Sequence, residues 1–253
     1  MKKAKAKTEF LVTATFLALL RGCLFHVCSS ILLILVEAGF EPMRRRSTAI
    51  AVALSLLAIG SPLVSANANP LATQYFDQGV EKFDAGNYQG AVDDYTKAIE
   101  INPQDETAYL TRGVAKRNLN DRQGAIADFT MAIEINPRFV LAYFNRGEDR
   151  FVLGDLRGAM TDFDNAIEID PQFEDAYYYR ASAKTRLGDH QGAIADWTKV
   201  IETYPQSGLD GLAYRNRGVD KAWIEDHEGA CVDWKEAASL GDEDAAGWVK
   251  EFC

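Results

Sequence analysis

One short phrase returns at a fixed interval along the chain. QGAVDDY at 89–95 comes back as QGAIADF (123–129), RGAMTDF (157–163), QGAIADW (191–197) and EGACVDW (228–234). Its glycines, Gly90, Gly124, Gly158, Gly192 and Gly229, are spaced by 34, 34, 34 and 37 residues. A unit of that length cannot bury a core alone, whereas a stack of them can, each unit covering the apolar face of its neighbour. The 253 residues are therefore expected to form an array rather than one or two large-cored domains.

Within one unit, Glu106 to Phe139, two apolar patterns at helical spacing predict helix A over 107–119 and helix B over 122–135. Between them stands Asn120-Asp121, matched by Gly86-Asn87, Gly154-Asp155, Gly188-Asp189 and Glu225-Asp226. The first member suits a left-handed helix C-terminus and the second an N-cap of helix B. Glu225 departs from that rule and is expected to be strained. Pro103, Pro137, Pro171 and Pro205 close helices B.

The recurring phrase also predicts packing. Its Gly-Ala pair is expected to let helices A and B approach closely, facing Gly113, Gly147, Ala181 and Gly218. Its closing ring (Tyr95, Phe129, Phe163, Trp197, Trp234) is expected beside Tyr75, Tyr109, Tyr143, Tyr177 and Tyr214. Its aspartate occurs in all five units, as Asp94, Asp128, Asp162, Asp196 and Asp233. A helix A arginine occurs only in units two to five, as Arg112, Arg146, Arg180 and Arg217, with Gln78 in unit one. Five acids and four bases, the first base missing, predict a ladder across the seams: Asp94–Arg112, Asp128–Arg146, Asp162–Arg180 and Asp196–Arg217. Lys82, Lys116, Arg150, Lys184 and Lys221, one turn on, are expected to share the acids.

With A-Y-x-x-R-G, then G-D, G-A-I-A-D-F and A-I-E-I-N-P at a period of 34, the chain resembles the tetratricopeptide repeat family. Five units align at 72–105, 106–139, 140–173, 174–207 and 211–244, and 245–253 resembles the family's extra helix over the last repeat. The R-G/G-A-I-A-D variant is similar to such proteins common in photosynthetic bacteria. Arg stands where the family usually has leucine on helix A, and Asp242 where unit five would have proline. The resemblance implies an all-α fold, a right-handed α-solenoid of five helical hairpins plus a C-terminal capping helix. It also implies a concave groove lined by helices A. From helical geometry the groove stripe is Phe76, Phe83, Leu110, Arg117, Asn118, Phe144, Asn145, Phe151, Tyr178, Tyr179, Arg186, Arg215, Asn216 and Trp223. Rings for apolar anchors, Asn for backbone and Arg for a carboxylate suit a peptide. The competing reading is that several of these rings pack sideways on their neighbours. A family clamp for a peptide C-terminus would need more than Asn145 and Asn216, since Asp77, Thr111 and Tyr179 take that place in the other units.

The front of the chain reads as export machinery. Met43 precedes Arg44, Arg45 and Arg46, an apolar run follows at 49–59, and Ala66-Asn67-Ala68 is a small-residue cleavage site. The expectation is a signal peptide over 43–68 with cleavage after Ala68; an uncleaved anchor is the alternative. Residues 1–42 read as an upstream extension or a membrane segment, the latter at odds with basic clusters lying inside. Residues 1–68 hold 8 Lys/Arg and 3 Asp/Glu, leaving 19 basic against 34 acidic side chains downstream, a charge near −15. That sign argues against nucleic acid and against anionic lipid surfaces.

Four cysteines become two after cleavage, Cys231 and Cys253, either bridged or two half-buried thiols. His190 and His227 read as turn-packing residues at the entry to helix B. No metal-ligand spacing, phosphate loop or nucleophile–base set is present, so neither catalysis nor a cofactor is expected. The expected function is a non-enzymatic scaffold that holds another protein or peptide, in the periplasm, in a thylakoid lumen or anchored to a membrane through the N-terminal segment. The alternative is a structural or self-associating spacer.

Overall fold

The computed structural model describes residues 69–203 and 210–253. The expected signal at 43–68, the extension at 1–42 and Pro205 lie outside the described residues. Five antiparallel hairpins follow one another. Their helices are α1 (Pro70–Asp84) with α2 (Tyr88–Ile101), α3 (Glu106–Asn118) with α4 (Arg122–Ile135), and α5 (Val140–Leu153) with α6 (Leu156–Ile169). Then come α7 (Glu174–Leu187) with α8 (His190–Thr203), and α9 (Asp210–Trp223) with α10 (His227–Ser239). A last helix, α11 (Glu243–Phe252), covers α10. Each helix B also packs on the next helix A, so small cores repeat along the stack in place of one central core.

Turn chemistry sets the hairpins. Gly86, Asn120, Gly154, Gly188 and Glu225 all hold positive φ, as the sequence predicts. The following Asn87, Asp121, Asp155, Asp189 and Asp226 each cap helix B by accepting the backbone N–H three residues on, at 2.9–3.0 Å. That contact explains the glycine of the recurring phrase differently from the sequence reading. A Cβ on Gly124 would stand 2.1 Å from the Asp121 carboxylate. The glycine is kept clear for its own cap, not for a neighbouring helix.

Close approach is the work of the next residue and of helix A. Ala91, Ala125, Ala159, Ala193 and Ala230 are fully buried. On helix A, a Cβ at Gly113 would come within 2.6 Å of the Phe129 ring, and Gly79, Gly147 and Gly218 meet Tyr95, Phe163 and Trp234 in the same way. Bare backbone therefore receives the ring of the phrase. The ring's side neighbours are also not the expected tyrosines. Phe76 lies 5.6 Å from Tyr95, Phe144 6.1 Å from Phe163 and Tyr178 5.0 Å from Trp197. Tyr109, Tyr143, Tyr177 and Tyr214 instead lie under the guanidinium groups three residues on, at 5.4–5.7 Å.

The ion-pair ladder exists, but it runs within each hairpin rather than across the seam. Arg112 grips Asp128 through Nε and Nη2 at 2.9 and 2.7 Å. Arg146 grips Asp162, Arg180 grips Asp196 and Arg217 grips Asp233 in the same bidentate way. The expected pairs Asp94–Arg112, Asp128–Arg146, Asp162–Arg180 and Asp196–Arg217 are not formed. Each carboxylate is buried and takes a second cation one turn on, Lys116, Arg150, Lys184 or Lys221, at 2.7–2.8 Å. Asp94 uses Lys82 and Lys97.

The seam is bridged by the third guanidinium nitrogen. Nη1 of Arg112, Arg146 and Arg217 donates to Thr96, Thr130 and Thr198 of the preceding repeat at 3.0–3.2 Å, and Arg180 to Asp164 at 2.6 Å. Each acceptor stands two residues after the aspartate of its own helix B. Residues two apart on a helix point about 200° from each other, so one faces its own helix A and the other the next. Gln78 takes the arginine's place in unit one, and among the described residues no repeat precedes it.

The cap begins earlier than expected. Asp242, in the proline place, accepts the N–H of Ala245 at 2.9 Å and starts α11. Cys231 and Cys253 form a disulfide that ties α10 to the end of α11; closing such a loop is worth about 2–4 kcal/mol. Glu225, the one charged residue at a left-handed turn, carries a φ of 65°. Glu225→Gly is expected to raise stability by about 1 kcal/mol, lifting Tm by roughly 2–4 °C in a thermal melt.

Candidate partner-binding surface

Helices A present their residues 5, 6, 9, 12 and 13 toward one side of the stack, and the structure separates these into seam and surface. Leu110 and Phe144 are buried, 6% and 7% exposed, inside their hairpins. They are not available to a partner, contrary to the sequence reading. Phe76 and Tyr178 are half-buried against the ring of their own helix B. Tyr179 packs within 6 Å of Phe144, Phe151, Phe163 and Tyr178. The sideways packing weighed as the alternative therefore accounts for the centre of the stripe.

Two of the three arginines are also spoken for. Arg117 donates to Glu148 at 2.7 Å, to the Asn145 carbonyl at 2.8 Å and to Asp149 at 3.1 Å. Arg215 ties α9 to the cap through Asp242 and Asp244 at 3.1 and 3.2 Å. Neither is free for a peptide carboxylate. Arg186 is exposed, lying 4.8 Å over the Phe151 ring. Asn118 and Asn145 donate to carbonyls of their own helices, and Asn216 bonds Tyr178.

Asp149 and Asp220 escaped the sequence reading. Both are fully buried on helix A, where repeats two and four carry the buried Ala115 and Ala183. Asp149 takes Arg117 and Arg122 from repeat two. Asp220 takes Thr185 at 2.8 Å, Trp197 Nε1 at 2.9 Å and His190 Nδ1 at 2.7 Å, all from repeat four. His190 is thus a seam ligand, and its ring also stacks at 5.3 Å on Trp223. Repeats two and four have alanine at that position and repeat one has the exposed Glu81, so the acid by itself did not single these two out.

What stays open lies toward the C-terminal ends of helices A. Phe83 and Phe151 are half-buried there, and Asn118, Arg186 and Trp223 are exposed. Beside them Leu119, Leu153, Leu187 and Ile224 are each 41–46% exposed at the same position of successive repeats, joined by Val152 and Trp223. They form an apolar edge with the period of the stack. At the opposite, N-terminal end of α7, Asp175 has its carboxyl pushed up by burial and, secondarily, by the Glu148 carboxylate. Glu148 in turn accepts from Tyr179 at 3.3 Å. Among the described residues, no group of three or more His, Cys, Asp or Glu could hold a metal ion. Nor is any described helix long and apolar enough to cross a membrane.

Comparison with known proteins fits this geometry. Residues 79–120, 106–139 and 175–207 match family models described as TPR repeat or tetratricopeptide repeat. No curated protein sequence matches the chain. Among solved structures, MamA superposes with a TM-score of 0.64 at 23% identity, over 70% of this chain and 94% of that one. MamA from Desulfovibrio magneticus RS-1 gives 0.64 at 17% identity, over 68% and 96%. YrrB, described as a TPR protein with an unusual peptide-binding site, gives 0.63 at 21% identity, over 71% and 92%. The described residues thus form an all-α solenoid with the fold of these tetratricopeptide proteins.

A raised carboxyl has a defined pH signature. Between the ordinary Asp value of 3.8 and the raised one, the folded state binds more protons than the unfolded. Stability from this group is therefore lost as pH rises through that window. Asp175→Asn is expected to raise Tm at pH 7, with the gain vanishing near pH 3; melts across that range check it.

Proposed function

We propose that the protein is a non-enzymatic interaction scaffold that holds a segment of another protein along its helix A side. The observation that carries this is the row of exposed Leu119, Leu153, Leu187 and Ile224 at repeat spacing, at the same helix A ends as Phe151, Arg186 and Trp223. A periodic row of exposed apolar side chains favours an extended partner with anchors at matching intervals. The downstream charge near −15 favours a partner segment carrying basic residues. The same fold carries a peptide-binding site in YrrB, by its description. Assembly of a membrane or envelope complex is the expected setting.

Export belongs to the same proposal. It is supported by the arginine, apolar and small-residue succession over 43–68 and by the Cys231–Cys253 bridge, since such bonds persist in oxidising compartments. Periplasm and thylakoid lumen both meet that condition. The spacer reading draws on the sideways packing of Phe144 and Tyr179, which closes the middle of the stripe.

Peptides selected by phage display against the full chain test the reading. Leu153→Ser with Arg186→Ala, both on exposed side chains, is expected to weaken the selected peptides at least tenfold while the helical circular-dichroism signal is unchanged. Failure to select any peptide, or unchanged binding by the variant, supports the spacer.

A further inference from the structure

Between the end of α9, the start of α10 and the cap helix α11 lies an open pocket of about 530 Å³.

Four rings shape it: Trp223, Trp234, Trp248 and Phe252. Trp234 is the floor, 8% exposed, with Trp248 at 5.4 Å and Phe252 at 6.3 Å from its ring. Trp223 and Phe252 are the open walls, 69% and 63% exposed. The disulfide holds the second wall, because Cys253 follows Phe252 directly. Val219, Ala222, Glu225 and His227 complete the lining, and no Lys or Arg is part of it. Glu225 occupies the one left-handed turn position that is neither Gly nor Asn. A strained residue kept beside a pocket points to a use for its side chain.

Aromatic faces attract a cation through their quadrupole, and a carboxylate at the lip adds a direct charge partner. From this constellation, and resting on the reading that the chain binds another polypeptide, we infer that the pocket takes a lysine or arginine side chain of the partner segment. The aliphatic stem lies between Trp223 and Phe252, and the charged head meets Glu225. The acidity of the chain downstream of residue 68 brings basic segments toward it.

Three of the four tryptophans line the pocket, so tryptophan fluorescence reports on it. The full chain is titrated at constant ionic strength with the N-acetyl methylamides of lysine, arginine and norleucine. The inference expects the lysine and arginine amides to bind at least tenfold more tightly than the norleucine amide. Trp223→Ala and Glu225→Gly should each remove that preference, and reduction of the disulfide should weaken it. Glu225→Gly relieves backbone strain, so loss of binding in it is not loss of fold. Equal or tighter binding of the norleucine amide, or an unchanged preference in Glu225→Gly, overturns the proposal. So does a concentration-dependent dimer that Trp223→Ala abolishes while no amide binds. The titration is independent of the apolar edge: if Leu153→Ser with Arg186→Ala loses its peptides but keeps the amide preference, the two readings stand apart.

Discussion

Four arginines hold the stack together in two directions at once. Each lies on a tyrosine ring, chelates the aspartate of its own hairpin and reaches a side chain of the hairpin before it. The carboxylates are buried and each is held by two cations, so replacing the arginine would leave the aspartate on a single lysine or arginine. The threonine acceptors are arranged for this. Thr96, Thr130 and Thr198 give their hydroxyl protons to the carbonyl four residues back and keep a lone pair for the guanidinium. Hairpin and seam therefore close through the same side chain, and the small cores between them are filled mainly by alanines and aromatic rings.

Much of that was legible in the spacing alone. Turn pairs such as Asn120-Asp121 and Gly154-Asp155 carry their dihedral and capping roles in their chemistry, and the helix boundaries followed to within a residue or two. The direction of the ladder was not legible. A missing base in unit one fits an arginine that pairs across the seam, and it fits equally an arginine whose second contact is across the seam. The one-dimensional pattern holds no angle between Asp128 and Thr130, and that angle decides the matter. The glycine of the phrase was misread for a similar reason: its crowding comes from Asp121, three residues away, not from a facing helix.

The candidate surface was legible in part. Phe151, Arg186 and Trp223 stand where helical geometry put them, yet Leu110 and Phe144 turn inward and Arg117 and Arg215 are held in ion pairs. A stripe at the edge of a buried face is ambiguous by one side chain's tilt. Asp149 and Asp220 show the converse: both are seam ligands that the pattern did not mark, since repeat one has the exposed Glu81 at the same position, and their partners Arg122 and His190 come from a different helix of the preceding repeat. The surface that remains is displaced toward the C-terminal ends of helices A and is apolar along that edge.

The arginine Nε–H signals of the isotopically labelled full chain test the central claim directly. Arg112, Arg146, Arg180 and Arg217 are expected to show slowly exchanging Nε–H groups in nuclear magnetic resonance spectra. Asp162→Asn is expected to abolish the protection of Arg146, in its own hairpin, and to leave that of Arg180 intact. Loss of the Arg180 signal with retention of the Arg146 signal would contradict the account.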